Sequence, residues 1–309
     1  MGDPVALESH QTRVEIDRNR VADLGLDISV IGRTLETLLG GRNVTTFQIG
    51  AQQYDVTVAL PPAERTSPET LAKAYDYVLQ IGKTPIVVND SRGFYTSRVF
   101  ATYVMEGIAM LGEGVHPRSI EVAGLKAGMP MPPLALQDEV SLSLSLHIGE
   151  QTRKDLAAEG KTVPDHPAHA VLMNIGATHG RVGKKSGKGF YDYQGKEKTL
   201  WPELTRLYPP QAAQPSQQEL IDRLMFIQAN EAARCYEEKV VRSVADTNVG
   251  AIFGWGFAPH QGGALQFINA MGAERFVARS RELAKRHGTR FEPAAIVVKM
   301  AQEGTRFED

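Results

Sequence analysis

The chain has 309 residues, 42% of them hydrophobic, and its 34 basic and 36 acidic side chains leave a net charge of -2. That is enough apolar material for about two packed domains. The charge is too evenly balanced to gather nucleic acid or an anionic membrane, so any polyanion site has to be local. One cysteine, Cys235, excludes an internal disulfide and reads as a small buried hydrophobe. No apolar run approaches the roughly 20 residues of a membrane helix, and the first eleven residues are too polar for a secretory signal, so the expected location is the cytoplasm.

In chain order, Arg13–Asp17 alternates as a short strand, and the apolar spacing over Asn19–Leu39 predicts a helical region ended by Gly40 and Gly41. Val44–Ile49 and Tyr54–Leu60 read as two strands, the second stopped by Pro61 and Pro62. Leu71–Ile81 has a helical period and Gly82 to end it; Pro85–Val88, a continuous apolar run, is expected to be a strand covered on both faces.

Beyond Gly93 strands nearly vanish. Helices are expected over Ser97–Leu111, Pro117–Gly128, Pro133–Ala158, Pro167–Gly176, Gln217–Glu238, Ser243–Phe253, Gly263–Met271, Ala273–His287 and Pro293–Glu303. Gly189–Tyr193 reads as a short β segment, and Pro202–Ser216, with four prolines, as a linker. An internal repeat spans that linker. Arg98 and Glu106 recur as Arg223 and Glu231, both 125 positions further on, and the breaks GMPMPPLAL (128–136) and GFAPHQGGAL (256–265) follow at matching stages. Two tandem helical units of like design explain this, because helical repeats bury their apolar faces against one another.

The chemistry legible from the residues is sparse. Arg181, Lys184, Lys185 and Lys188 form a basic turn suited to phosphates, though no P-loop spacing fits it. His166 and His169, three apart, lack further ligands at useful spacing for a metal and read as a helix start. His147 and His260 read as structural, and Trp255 and Phe257 as core. No G-x-G-x-x-G follows any strand, so the sequence offers no glycine turn to bring backbone N–H groups to a dinucleotide pyrophosphate.

From about Leu71 onward the chain resembles the 3-hydroxyacyl-CoA dehydrogenase part of bacterial multifunctional fatty-acid oxidation alpha subunits. The matching stretches are KTPIVVND (83–90), GFYTSR (93–98), GMPMPPLALQDEV (128–140), GKKSGKGFYDY (183–193) and NEAARCYEEKVVRSVADTNVGAIFGWGFAPHQGG (230–263). The resemblance implies a mainly α fold of two tandem duplicated helical domains, 6-phosphogluconate dehydrogenase C-terminal-like, preceded by a small α+β segment. It places the domains at 92–200 and 201–309, with 71–91 as the last helix and strand of a Rossmann domain. The implied reaction is the NAD-linked interconversion of 3-hydroxyacyl-CoA and 3-oxoacyl-CoA in β-oxidation. NAD is the family's cofactor, but none is expected to bind this chain, and no metal is expected.

Ser97 stands where the family has a catalytic-site Asn and is the candidate catalytic residue, with a helix N-cap as its alternative role. Arg98 is expected to anchor its helix by pairing, and Asp138 to serve packing and hydrogen bonding. Arg181, Lys184, Lys185 and Lys188 become candidate contacts to the CoA phosphates. Acyl-CoA is the implied ligand, and a second copy of the chain or a fatty-acid oxidation complex the implied partner; a non-catalytic association module or a truncated fusion product is the alternative. Residues 13–62 are similar to half of a porter subdomain of resistance-nodulation-division efflux pumps, which makes residues 1–70 a separate α+β piece joined near PETLA (68–72).

Overall fold

A computed structural model describes residues 42–49, 52–58, 68–162, 166–195 and 197–309, in two units, residues 1–90 and 91–309. In the first, β1 (Arg42–Ile49) pairs antiparallel with β2 (Gln52–Val58), with one irregularity between Asn43 and Thr45, and α1 covers Pro68–Gln80. The strand expected at 13–17 and the helix expected at 19–39 lie outside the described residues. Pro85–Val88 is not the expected strand, since only Val88 makes an isolated bridge. A buried strand needs neighbours on both sides to take up its donors and acceptors, and the described strands of this unit pair only with each other.

The second unit is mainly helical among the described residues, with one hairpin. Its first half holds α2 (Thr96–Gly112), α3 (Pro117–Lys126), α4 (Pro133–Val140), α5 (Leu142–Ala158) and α6 (Ala168–Leu172), the last running into a π-helical turn at Met173–Thr178. β3 (Tyr191–Gln194) and β4 (Glu197–Leu200) then form an antiparallel hairpin. The expected linker contains a short helix, α7 (Leu204–Leu207). The second half holds α8 (Gln217–Glu237), α9 (Val244–Trp255), α10 (Ala264–Met271), α11 (Ala273–His287) and α12 (Ala295–Glu303).

Two of the second-half helices start on local chemistry. Ser216 accepts the Glu219 N–H and Ser243 the Asp246 N–H, as N-caps do. The single helix expected over 133–158 is instead two, broken at Ser141, whose φ of 84° no α-helix accommodates.

The repeat read from the sequence is physical. α2 and α8 pack against each other, with Val99, Tyr103, Val104, Ile108 and Leu111 of α2 buried at the 3–4 residue spacing of one helix face. Each such side chain contributes about 1.5–3 kcal/mol relative to exposure. Arg98, at the start of α2, pairs with Glu231 at 2.5 Å and with Glu238 at 2.5 Å, both near the end of α8. Arg223, at the start of α8, pairs with Glu106 at 2.5 Å and Glu113 at 2.6 Å, near the end of α2. Glu113 and Glu238 are themselves 125 positions apart, so three corresponding residues from each half cross-pair about an approximate two-fold axis.

The symmetry reaches the backbone. Gly114 (φ 81°) and Lys239 (φ 59°), again 125 apart, follow the two helices in the same left-handed conformation. The two Gly-Pro breaks also cross. A Cβ at Gly256 would fall 2.4 Å from Pro130, and one at Gly128 would fall 2.6 Å from His260 and 3.2 Å from Ala258, so each break leans on the other's glycine. Tyr95 adds a further tie, its hydroxyl donating to the Thr247 carbonyl at 2.8 Å and its ring meeting Trp255 edge-on at 5.3 Å. Within the second half, Phe226 stacks on Phe276 at 4.6 Å, with Phe267 edge-on at 5.6 Å.

Candidate functional site

The hairpin and the basic turn before it are held by two buried carboxylates. Asp138, on α4, accepts the N–H groups of Phe190 (2.7 Å) and Tyr191 (2.9 Å) and the hydroxyl of Tyr193 (2.9 Å). Glu121, on α3, accepts the N–H groups of Leu134 (2.9 Å) and Ala135 (3.3 Å) at the start of α4, and the hydroxyl of Tyr191. Gly189 is required between them, because a Cβ there would lie 2.0 Å from the Asp138 carboxylate.

These donors are neutral, and burial dominates both acids. It pushes the Glu121 carboxyl up to about 7 and that of Asp138 up to about 6, although the hydrogen bonds pull the other way. Asp138 thus takes the hydrogen-bonding role expected of it. Glu121 was not legible as a site residue; the signal was the tyrosine pair in GFYDY, whose hydroxyls need partners once buried.

The basic turn splits in two. Lys184, Lys185 and Lys188 are exposed on one tight turn, with Lys184 2.5 Å from Glu139. Arg181, expected beside them as a phosphate contact, is placed apart from them. Buried to 6% exposure, it donates to the carbonyls of Gly189 (2.6 Å) and Tyr191 (3.0 Å) and to Asp192 (2.6 Å), and its guanidinium lies 4.1 Å over the Trp201 ring. A planar fork facing two carbonyls and a carboxylate is spent on fixing the hairpin.

Ser97 is exposed in the first turn of α2, and the N-cap of that helix is Tyr95, which corrects the capping role for Ser97. Arg98 beside it anchors α2 to α8 by the pairs already described. His166 caps the start of α6, its Nδ1 accepting the Ala168 N–H at 3.2 Å. Trp255 donates to Gln228 at 2.9 Å in the core, and the Cys235 thiol is buried and pushed up to about 12, which keeps it protonated and unreactive. No cluster of three metal-ligating side chains occurs among the described residues.

The described residues do not fit a nicotinamide dinucleotide. Its cradle is a Gly-rich turn from a parallel strand into a helix, whereas the described strands form only two antiparallel pairs. Gly262 and Gly263 precede α10 from a single-turn helix, not from a strand.

Residues 93–193 match the family described as 3-hydroxyacyl-CoA dehydrogenase, C-terminal domain, and residues 5–85 match the AcrB/AcrD/AcrF family. The second match runs past residue 70, where the sequence reading sets its boundary, so α1 lies inside it. The chain is 38% identical over 248 residues to the alpha subunit of the fatty acid oxidation complex of Shewanella halifaxensis, an alignment covering 79% of this chain and 34% of that protein. It therefore spans about a third of the length of this curated relative.

Two solved structures share the fold. The 3-hydroxybutyryl-CoA dehydrogenase of Escherichia coli superposes with a TM-score of 0.61 at 19% identity, over 77% of this chain and 66% of that one. The dehydrogenase part of multifunctional enzyme 1 of Caenorhabditis elegans does so with a TM-score of 0.51 at 17% identity, over 76% and 54%. The GFYTSR and GFYDY motifs lie within the family match, so residues 93–193 are similar to the C-terminal domain of 3-hydroxyacyl-CoA dehydrogenases, and the two solved structures share the fold.

Proposed function

We propose that this chain is the helical, substrate-side part of a 3-hydroxyacyl-CoA dehydrogenase of fatty-acid oxidation, and that it does not transfer hydride on its own. The supporting observation is a pair of helical units, cross-joined by Arg98 and Arg223, in a chain whose described strands supply no dinucleotide cradle. The family's reaction draws on NAD, and because the described strands form no cradle for it we assign the nicotinamide site to a segment outside the described residues or to another chain. Lys184, Lys185 and Lys188 are the residues assigned to the CoA phosphates, as ammonium charges on an exposed turn, with Lys184 exchanging its Glu139 partner for a phosphate. Ser97, on the exposed first turn of α2, is assigned the position nearest the reacting groups.

Association with a larger complex is part of the reading. Leu125 and Phe253 are 54% and 70% exposed, and each lies three residues before the glycine of its own Gly-Pro break. Large apolar side chains repeated at corresponding places suit a covering domain or subunit. No helix among the described residues is long and apolar enough to cross a membrane, and the proposed location is the cytoplasm.

The test is made on the purified chain, with acetoacetyl-CoA and NADH. Expected is no oxidation of NADH, together with calorimetric binding of the thioester that weakens about tenfold or more when Lys184, Lys185 and Lys188 are all changed to Ala, on the scale of 1.4 kcal/mol per tenfold. Turnover of NADH would overturn the first half of the proposal. Binding unchanged in the triple variant would remove the lysines from the site.

A further inference from the structure

We propose that α5 is a flap that swings about Ser141, alternating between the seated position and a detached one. Three independent features of the fold converge on this helix.

The first is its anchor. Ser141 has φ 84° and ψ 128°, a backbone region that favours glycine and strains a residue with a Cβ. The neighbouring chain hems it in: the Leu142 N–H is tied to the Val182 carbonyl at 2.9 Å, and a Cβ on Gly183 would come 3.2 Å from the Ser141 Cα. The side-chain cap from Ser141 to the Leu144 N–H is long, at 3.4 Å, and recovers little. Strain stored at the junction of α4 and α5 is released when α5 leaves its seat.

The second is how little holds the helix down. α2 and α5 are both 17 residues long, yet α2 buries nine residues and α5 only Leu142, beside the hinge. Leu144 and Ile148, one turn apart, are 47% and 53% exposed. The far end is tethered by Arg92 to Glu159 at 2.7 Å, a pair in which both side chains are more than two-fifths exposed. Exposed pairs of this kind hold weakly and are screened by salt.

The third is the seat itself. α5 rests on the π-helical turn 173–178, where Leu146 sits directly over the Gly176 backbone; a Cβ there would meet Leu146 at 2.9 Å. Wide π turns of this kind are uncommon and are found frequently at functional sites. An element with few buried contacts and a strained hinge is drawn from the low-stability end of a structure, where opening occurs without global unfolding.

Hydrogen exchange on the full chain, read by peptide mass spectrometry, tests the flap. The amides of 146–158 are expected to exchange at least about tenfold faster than those inside α2, because they open locally. Ser141→Gly removes the hinge strain and is expected to slow 146–158 by about fivefold, with α8 unchanged. Leu146→Ala, which loosens the seat, is expected to speed the same amides, again with α8 unchanged. Equal protection of α5 and α2 in the unaltered protein overturns the proposal. So does a Ser141→Gly variant in which 146–158 fails to slow, or in which α8 shifts as much as α5.

Discussion

Changing Arg223 to Ala is expected to cost the helical unit about 3–5 kcal/mol, the scale on which an ion deep inside a protein is left without its partner. Arg223 is fully buried, and its two carboxylate partners differ: Glu106 is fully buried, while Glu113 retains partial exposure. Arg290 completes the cluster, at 2.7 Å from Glu106 and 3.2 Å from Glu113. Burial acts to raise the Glu106 carboxyl, but Arg223 and Arg290 outweigh it and hold that group below its ordinary value. Two guanidiniums thus balance two carboxylates, and deleting one leaves a net negative charge enclosed.

Two controls sharpen this result. Adding Glu106→Gln to Arg223→Ala restores the charge balance with Arg290 and Glu113, so the double variant is expected to be less destabilised than the sum of the two single changes. Arg98→Ala, at the two-fold-related position but with a partly exposed side chain, is expected to cost about 1 kcal/mol. Urea midpoints of the unaltered protein and the four variants, Glu106→Gln alone included, decide the matter. Equal losses for Arg98→Ala and Arg223→Ala would show that burial is not what sets the effect.

The second large effect is a pH dependence carried by Glu121. The folded protein keeps the Glu121 proton up to about pH 7, while the unfolded chain releases it near 4.5. The folded state binds more protons between those values, so the contribution of Glu121 is fully present below 4.5 and is lost as pH rises through 7. At about 1.4 kcal/mol per pH unit, the total is about 3 kcal/mol. The groups around the carboxyl are the Tyr191 hydroxyl from the hairpin, Lys198 from β4, Tyr103 from α2 and the first N–H groups of α4.

Other groups titrate in the same range and partly mask this trend. Asp138 is also raised and adds to it, while His166 and His287 are lowered by burial and act in the opposite sense, since the unfolded chain binds their protons first. The difference between the unaltered protein and Glu121→Gln isolates the one group. The stability of the unaltered protein relative to this variant is expected to fall by about 3 kcal/mol from pH 4.5 to 8. A difference that stays flat across that span would mean the carboxylate is solvated despite its buried position.

Much of this architecture was legible in the sequence because it rests on local periodicity. Most helices from Ser97 onward, though not the break at Ser141, follow from apolar spacing, and the tandem repeat follows from residues recurring 125 apart. What escaped depends on distant partners. Arg181 looks outward in the sequence because it sits among lysines, yet the carbonyls of Gly189 and Tyr191, eight and ten residues on, draw it inside. Ser141 carries no mark of a break, since nothing in LQDEVSLSL announces a left-handed residue. Pro85–Val88 has the composition of a covered strand, but among the described residues it makes only the isolated bridge at Val88. The cross-pairing of Arg223 with Glu106 was hidden although both residues were singled out, because spacing reveals a repeat but not which copies touch.

The arrangement of the Glu106 cluster also sets an order of events during synthesis. Both cations that neutralise this carboxylate arrive late, Arg223 after 117 further residues and Arg290 after 184. A nascent chain that has just left the ribosome with α2 complete therefore cannot bury its end without enclosing a bare anion or protonating the Glu106 carboxyl, and either is costly near neutral pH. We expect the early half to stay partly open until α8 and the segment after α11 have emerged, so that the Glu106 cluster closes late.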